Sequence, residues 1–474
     1  MNNHCASSAL QALIVEGHYL FDQAIKVGND LASVGVAMGR QHQDKPPNVH
    51  PAYDYVATLY PHLTQLKLPP SDPDSARTYL KNNDDRATPV EVDLDPEFLD
   101  LADRLGYRLS PLVHPETLYL PPNVFIAITE TVNRDATPGY PFNMKHATKG
   151  ECLDARIDEL YALTLERLAL LAAADPEQLA AMSAVDLVRG GYVDPKYIIV
   201  KNEGTKPAKL ETGTCRVVQA ASLLDELVSK ALEHPVFKAI LQDKGKHFSL
   251  LGMALSGQDA ERILEFVAPT QQDGALSAND AQAFEFSHSR TAIRSSHKFS
   301  ATMMRARGTR LERALDNYAI CMTCSVFIFK DGVLWAQTRP RNMKSGVPGT
   351  SSHNTLVRHA IYHRAGGVGL CLSSSDDTLE RRFPGAVKAY AQMGYVIKDY
   401  DADTTSVFEC CSHYWRQGLE PVAKNVEKSF FNLLHNYSPE AVDAFQALHY
   451  RDEAAMTCLA VLLSWPVGES ESPS

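Results

Sequence analysis

Two adjacent carboxylates, Asp376 and Asp377, follow the run Leu370-Cys371-Leu372-Ser373-Ser374-Ser375. The apolar segment from Val368 to Leu372 reads as a buried strand ending on a polar turn, with a second strand beyond it. Such a hairpin tip pushes both acids outward. There they suit hard divalent cations, which take oxygen ligands and keep positions open for phosphate. Ser-Asp-Asp-Thr is also ordinary turn chemistry, so the pair alone decides nothing. A third acid, Asp280, ends a strand predicted over residues 275–279, and Glu285 stands five residues later. The cations form another set. Lys201, Lys206 and Lys209 occupy a loop after a strand-like segment, and Arg216 lies on a second strand. Cations facing one another across a hairpin can neutralise a triphosphate, arginine through its planar fork. A solvated basic loop is an equally fair reading.

Several elements must position these groups. A helix is predicted from Leu223 to Leu232, and residues 325–337 read as a hairpin turning at Lys330-Asp331-Gly332. The glycine-rich loop Ser345-Gly346-Val347-Pro348-Gly349 opens a further helix, with Thr350 and Asn354 one turn apart on one face. Thr137-Pro138-Gly139-Tyr140-Pro141 is a rigid turn. Ile157, Leu160, Tyr161, Thr164, Leu168 and Leu171 mark an amphipathic helix, and Val426, Phe430, Leu433 and Leu434 mark another. Residues 7–38 show a helical pattern, and the acid-rich stretch 84–104 reads as solvated surface.

At 474 residues and 45% hydrophobic, the chain can bury a large core in one composite unit or several domains. No apolar run reaches membrane-spanning length, and the N-terminus lacks the basic start of a signal peptide, so an intracellular protein is expected. Cys321-x-x-Cys324 has no second pair near it and reads as core within a strand pattern. The net charge of −11 argues against a generic nucleic-acid binder. Yet Arg290, Arg294, Lys298, Arg305, Arg307, Arg310 and Arg313 are opposed in sequence by Glu312 alone, a basic helical surface that suits an RNA backbone.

Taken in order, these stretches resemble the RNA-dependent RNA polymerases of positive-strand RNA viruses, nearest the sobemovirus-like branch that includes luteo- and barna-like enzymes. The resemblance covers roughly residues 137–434. TPGYP (137–141) looks like the template-entry motif G, and the lysines with Arg216 look like motif F. Asp280-x-x-x-Phe284-Glu285 resembles motif A, SGVPGTSSHN (345–354) motif B, and SSDD (374–377) motif C. Residues 390–400 match motif D, and Phe408 to His413 resemble motif E. Two positions depart from the pattern: Ser375 stands where glycine is usual, and Glu285 is one methylene longer than the usual aspartate.

The resemblance implies an α+β right-hand polymerase with fingers, a palm built on an antiparallel sheet, and a helical thumb. Its divisions would be an N-terminal extension with part of the fingers (1–135), fingers (136–272), palm with a fingers insertion (273–413) and thumb (414–474). It implies RNA-templated RNA synthesis with two Mg2+ ions, for which Mn2+ can substitute. Asp280 and Asp376 would hold the metal, with Asp377 supporting, and Lys398 would protonate the leaving pyrophosphate. Lys201, Lys209, Arg216, Glu285, Ser345, Gly346, Thr350 and Asn354 would bind the NTP. Thr137, Pro138, Gly139, Arg305, Arg307 and Arg310 would contact RNA. Implied partners are template and product RNA, NTPs and a genome-linked protein primer, in replication complexes of the host cytoplasm whose membrane attachment comes from other replication proteins. Two alternatives share these residues: a reverse transcriptase-like enzyme, and a non-catalytic RNA-binding protein on a polymerase fold. The polar pair Thr350 and Asn354 disfavours the first, because reverse transcriptases place bulk against the 2′-hydroxyl. Retention of all three acids disfavours the second.

Overall fold

Three sheets position the residues singled out above. The computed structural model describes residues 19–37 and 49–465. Its largest sheet has six strands in the order β1 (Leu20–Lys26), β2 (Leu31–Val36), β7 (Val333–Gln337), β6 (Val326–Ile328), β3 (Lys196–Val200) and β4 (Val217–Ala220). Its β3–β6 pair is parallel. A four-stranded antiparallel sheet runs β10 (Val396–Lys398), β5 (Leu276–Gln282), β9 (Asp377–Arg381), β8 (Cys371–Ser374). A third sheet joins β11 (Phe408–Cys410), β12 (His413–Arg416) and β13 (Leu419–Ala423).

The predicted helix over 7–38 is corrected where it can be seen. Residues 20–36 form the β1–β2 hairpin, and residues 7–18 lie outside the described residues. Gly28-Asn29-Asp30 is a turn sequence, and it breaks any helical periodicity there. The strand expected from Val368 begins only at Cys371, with Val368 itself exposed. The hairpin at 325–337 forms as expected. Cys321 and Cys324 are buried, but at the C-terminal end of the Arg310–Thr323 helix rather than in a strand.

The long helices start where side chains can take up free amides. Thr148 accepts from Glu151 N at the start of Lys149–Ala173, and the Glu151 carboxylate reaches back to Ala147 N (2.7 Å). Ser222 does the same for Asp225 N at the start of Leu223–Asp243, a helix eleven residues longer than the pattern suggested. Between these two helices Arg167 is fully buried, bonded to Asp225 (2.7 Å) and Asp194 (3.0 Å), while Lys196 of β3 closes on Asp225 (2.5 Å). Each charge in that group has a partner, the condition under which buried ions are tolerated.

The C-terminal helices Val426–His435, Pro439–His449 and Glu453–Ser464 do not pack among themselves alone. Phe430, Leu434, Phe445 and Leu459 share a core with Ala52, Val56 and Leu63. His50 N donates to Leu434 O (2.8 Å), and Gly204 N donates to Asn432 Oδ1 (2.7 Å). Val426 sits at the edge of that core, and Phe431 takes the inward place beside Phe430.

Candidate active site

The four-stranded sheet brings the acids together. Asp280 lies near the end of β5, directly opposite Lys398 of β10, whose ammonium is 3.7 Å from Asp280 Oδ2. β8 and β9 close over a two-residue loop, Ser375-Asp376, because Ser374 pairs with Asp377. Ser375 takes a left-handed φ of 60°, which explains why glycine would sit comfortably there. Its amide donates to Thr355 Oγ1 (2.9 Å), which ties the tip to the Thr350–Arg364 helix. The two adjacent acids diverge instead of both leaving the tip. Asp376 faces a cavity of about 480 Å³, whereas Asp377 begins β9 and faces a neighbouring cavity of about 420 Å³. Asp280 reaches both.

Carboxylate faces carboxylate here, and their proton affinities record it. Burial and the neighbouring Asp376 push Asp280 up to about 6, against the pull of Lys398. Burial, Asp376 and Asp280 push Asp377 up to about 7. Burial and Asp376 push Glu285 up to about 7, against Arg216 and Lys201. Hard oxygen donors crowded in this way gain from a divalent cation, which removes the repulsion between them.

The larger cavity gathers the cations as well: Lys201, Lys209 and Arg216 from the β3–β4 connection, and Lys398. Glu203 is their counter-charge, 3.4 Å from Lys201, 3.6 Å from Arg216 and 3.3 Å from Lys428. Three cations share one carboxylate. Burial, Arg216 and Lys428 together lower the Lys209 pKa. An incoming polyanion relieves that excess of positive charge.

Glu285, Ser345 and Asn354 line the same cavity. Asn354 is buried and its Oδ1 accepts from His288 Nε2 (3.0 Å), while His288 Nδ1 meets the Tyr395 hydroxyl (3.0 Å). Burial drives the His288 pKa down to about 3, so the ring stays neutral and the Tyr395 hydroxyl can donate to Nδ1. With Oδ1 engaged, the amide NH2 is the donor Asn354 has left for a ligand. Thr350 does not line the cavity: its hydroxyl donates within the loop, 2.7 Å from both Lys344 O and Val347 O. Gly346 is not lining either. It lies against β4, where a Cβ would sit 2.4 Å from Gln219 O.

The remaining predicted residues lie elsewhere. Pro138 O accepts from Leu223 N (2.7 Å), and Gly139 lies so close to Ala221 that a Cβ would meet its carbonyl oxygen at 2.3 Å. Thr137, Pro138 and Gly139 therefore sit against the start of the Leu223–Asp243 helix, outside the cavity lining. Arg305, Arg307 and Arg310 are exposed around the turn between the Arg290–Met303 and Arg310–Thr323 helices. The surrounding basic surface is far more neutral than its sequence. Arg294 is bidentate to Asp316 (2.7 and 2.6 Å), Lys298 pairs with Asp95 (2.8 Å), and Arg307 pairs with Glu312 (2.8 Å). The acidic stretch is corrected with it: Asp84 is buried on Arg341 (2.7 Å), and Asp95 serves Lys298.

Two residues at the site were not legible beforehand. Arg86 lines the cavity from the acidic stretch, where isolated cations among acids gave no pattern. His288 stands three residues beyond Glu285 in a segment that pairs with 342–343, and only the folded contact with Asn354 gives it meaning.

No family model matches the sequence. The chain is 30% identical over 353 residues to the replicase polyprotein P2AB of Southern bean mosaic virus, covering 72% of this chain and 35% of that protein. It is 29% identical over 306 residues to protein P1-P2 of Potato leafroll virus, covering 59% and 27%. It is 28% identical over 282 residues to the P2AB of Cocksfoot mottle virus, covering 58% and 29%. The chain thus spans about a third of the length of these relatives. Its structure is similar to a Sicinivirus 3Dpol RNA-dependent RNA polymerase, with a TM-score of 0.52, 13% identity, and coverage of 80% of this chain and 83% of that one. Among the described residues no helix is long and apolar enough to cross a membrane. The chain is a relative of the sobemovirus and luteovirus-like replicases, and it has the right-hand fold of a viral RNA-dependent RNA polymerase.

Proposed function

We propose that this chain is an RNA-directed RNA polymerase that adds NTPs to an RNA 3′ end by a two-metal mechanism. The supporting observation is convergence: carboxylates from β5 and the β8–β9 loop and cations from the β3–β4 connection meet in one cavity of about 480 Å³. Asp280 and Asp376 would hold two Mg2+ ions, with Asp377 behind them. Their donor set fits, being crowded oxygen ligands, with the proton affinity raised at Asp280 and Asp377. The chemistry such ions supply when bound is charge stabilisation at the attacking and leaving oxygens.

The chain's own groups do the rest. Lys201, Lys209 and Arg216 bind the triphosphate, and Arg86 lines the same cavity. Asn354 and Glu285 meet the ribose hydroxyls. Lys398, held beside Asp280, gives its proton to the departing pyrophosphate. On this reading residues 136–272 are fingers, 273–413 palm and 414–474 thumb, and residues 50–66 join the thumb. Template and product RNA, and a genome-linked protein primer, are the partners in host-cytoplasmic replication complexes. Arg305, Arg307 and Arg310 are kept as a secondary RNA contact outside the cavity.

The test is primer extension on an RNA template with NTPs, with dNTPs, and with Mg2+ or Mn2+ omitted in turn. RNA-templated extension with NTPs and a divalent ion is expected. Preferred use of dNTPs would make the chain a reverse transcriptase-like enzyme. RNA binding without any extension would make it a non-catalytic binder.

A further inference from the structure

Away from the cavity, Glu233, His297 and His353 converge from three helices, Leu223–Asp243, Arg290–Met303 and Thr350–Arg364. They are 0%, 3% and 2% exposed, and one ligand-type atom from each lies within 4.8 Å of the others. His297 Nδ1 is 3.0 Å and His353 Nε2 is 3.3 Å from the same oxygen, Glu233 Oε2. These two imidazoles are the partners of a carboxylate with no access to water.

We infer that Glu233, His297 and His353 form a buried structural zinc site, separate from the magnesium ligands of the cavity. Geometry and ligand chemistry carry this. A tetrahedral zinc about 2.0–2.1 Å from nitrogen and oxygen ligands sets those ligands roughly 3.4 Å apart, and the two measured separations are 3.0 and 3.3 Å. His297 Nδ1 comes close to Oε2 without the alignment of a hydrogen bond, so the ring nitrogen points at another position. A void of about 10 Å³ bordered by His297, His353 and Tyr318 lies beside the two imidazoles and is about the size of one water. Two imidazoles and a carboxylate suit zinc, whereas magnesium prefers oxygen donors throughout.

Such a site would pin the helix bearing Asn354, the residue after His353, to two neighbouring helices. It does not depend on the polymerase reading, because metal content is read without activity.

The experiment uses the full chain purified without a polyhistidine tag from zinc-replete medium, then desalted and analysed for metal. About one zinc per chain is expected. Removal by chelator should lower the melting temperature by about 5 °C or more, and added zinc should restore it. Cobalt(II) in the stripped protein should give the visible absorption of a tetrahedral site. The same content in Asp376→Asn separates this site from the cavity acids, whatever that variant does to RNA synthesis. His297→Gln and His353→Gln should lose the zinc; if either fails to fold, cobalt spectra of the wild-type chain remain the readout. A folded wild-type protein with less than about a tenth of a zinc per chain and no thermal response to added zinc overturns the assignment. So does zinc retained in both glutamine variants.

Discussion

The two faces of the four-stranded sheet treat carboxylates in opposite ways. Alternation along β5 and β9 puts Asn279 and Glu380 on one face and Asp280 and Asp377 on the other. On the first face Glu380 is fully buried and saturated. Arg358 Nη2 donates to it (2.9 Å) and to Asn279 Oδ1 (2.7 Å), while Tyr390 OH donates to its other oxygen (2.9 Å). The Arg358 guanidinium also lies over the Tyr390 ring, 4.9 Å from its centroid. On the second face the acids are left facing acids. The same backbone, one residue out of phase, holds one carboxylate inert and leaves another in need of a cation. What marks a site here is incomplete internal neutralisation, with Lys398 set against Asp280 while Asp376 and Asp377 crowd it, since carboxylates occur on both faces.

The sharpest way to break that contrast is at Asp376. Asp376→Asn should reduce primer extension by about a thousandfold or more, equivalent to roughly 4 kcal/mol, with RNA binding retained. Elongation near the wild-type rate would sink the assignment of the unpaired face. On the paired face the expected loss is in stability. Arg358→Met leaves Glu380 buried and uncompensated, which costs about 3–5 kcal/mol, and adding Glu380→Gln should recover most of it. Denaturant midpoints measure both, and a single-variant loss below about 1 kcal/mol would show that Glu380 finds another partner.

A finer probe asks whether His288 acts through Asn354. Asn354→Ala should narrow the NTP-over-dNTP preference in kcat/KM by about tenfold, because an unsatisfied donor costs about 1–3 kcal/mol. His288→Ala should narrow it in the same direction, Tyr395→Phe by less, and Glu285→Asp should keep RNA synthesis. Equal losses for both nucleotides would make these residues structural. The smallest effect is expected at the hairpin tip. Ser375→Gly relieves a left-handed serine and should add about 1 kcal/mol of stability with activity kept; a loss of stability would mean the serine side chain contributes more than its backbone costs.

The gathering of the candidate residues was legible where one segment supplies both the side chain and its placement. Asp280 on a strand end, Asp376 in a turn and Lys398 on a short strand are examples, and all three line one cavity. It was illegible where function depends on a partner from far along the chain. The seven cations between 290 and 313 read as an RNA surface because Asp95 and Asp316 could not be seen to neutralise Lys298 and Arg294. The β1–β2 hairpin was hidden because an edge strand exposes both faces, and its apolar spacing then mimics a helix. Arg358 and Glu380 carry no local signal at all, since each is explained only by the other.

The shared core of residues 50–66 with the helices after Val426 has a consequence for synthesis. A ribosome makes Val56 and Leu63 long before it makes Phe430, Leu434 and Leu459, so the early segment has nothing to pack on until the last stretch emerges. Contacts so distant in sequence close slowly and late. Until then the bond from Gly204 to Asn432 is missing, and the loop that carries Lys201 is held only by its bonds to Lys67 and Arg216. A nascent chain halted before Val426 would show chaperones an apolar patch where the folded chain has a buried core. The basic side of the site thereby gains the last of its braces only after translation has run through the Val426–His435 helix.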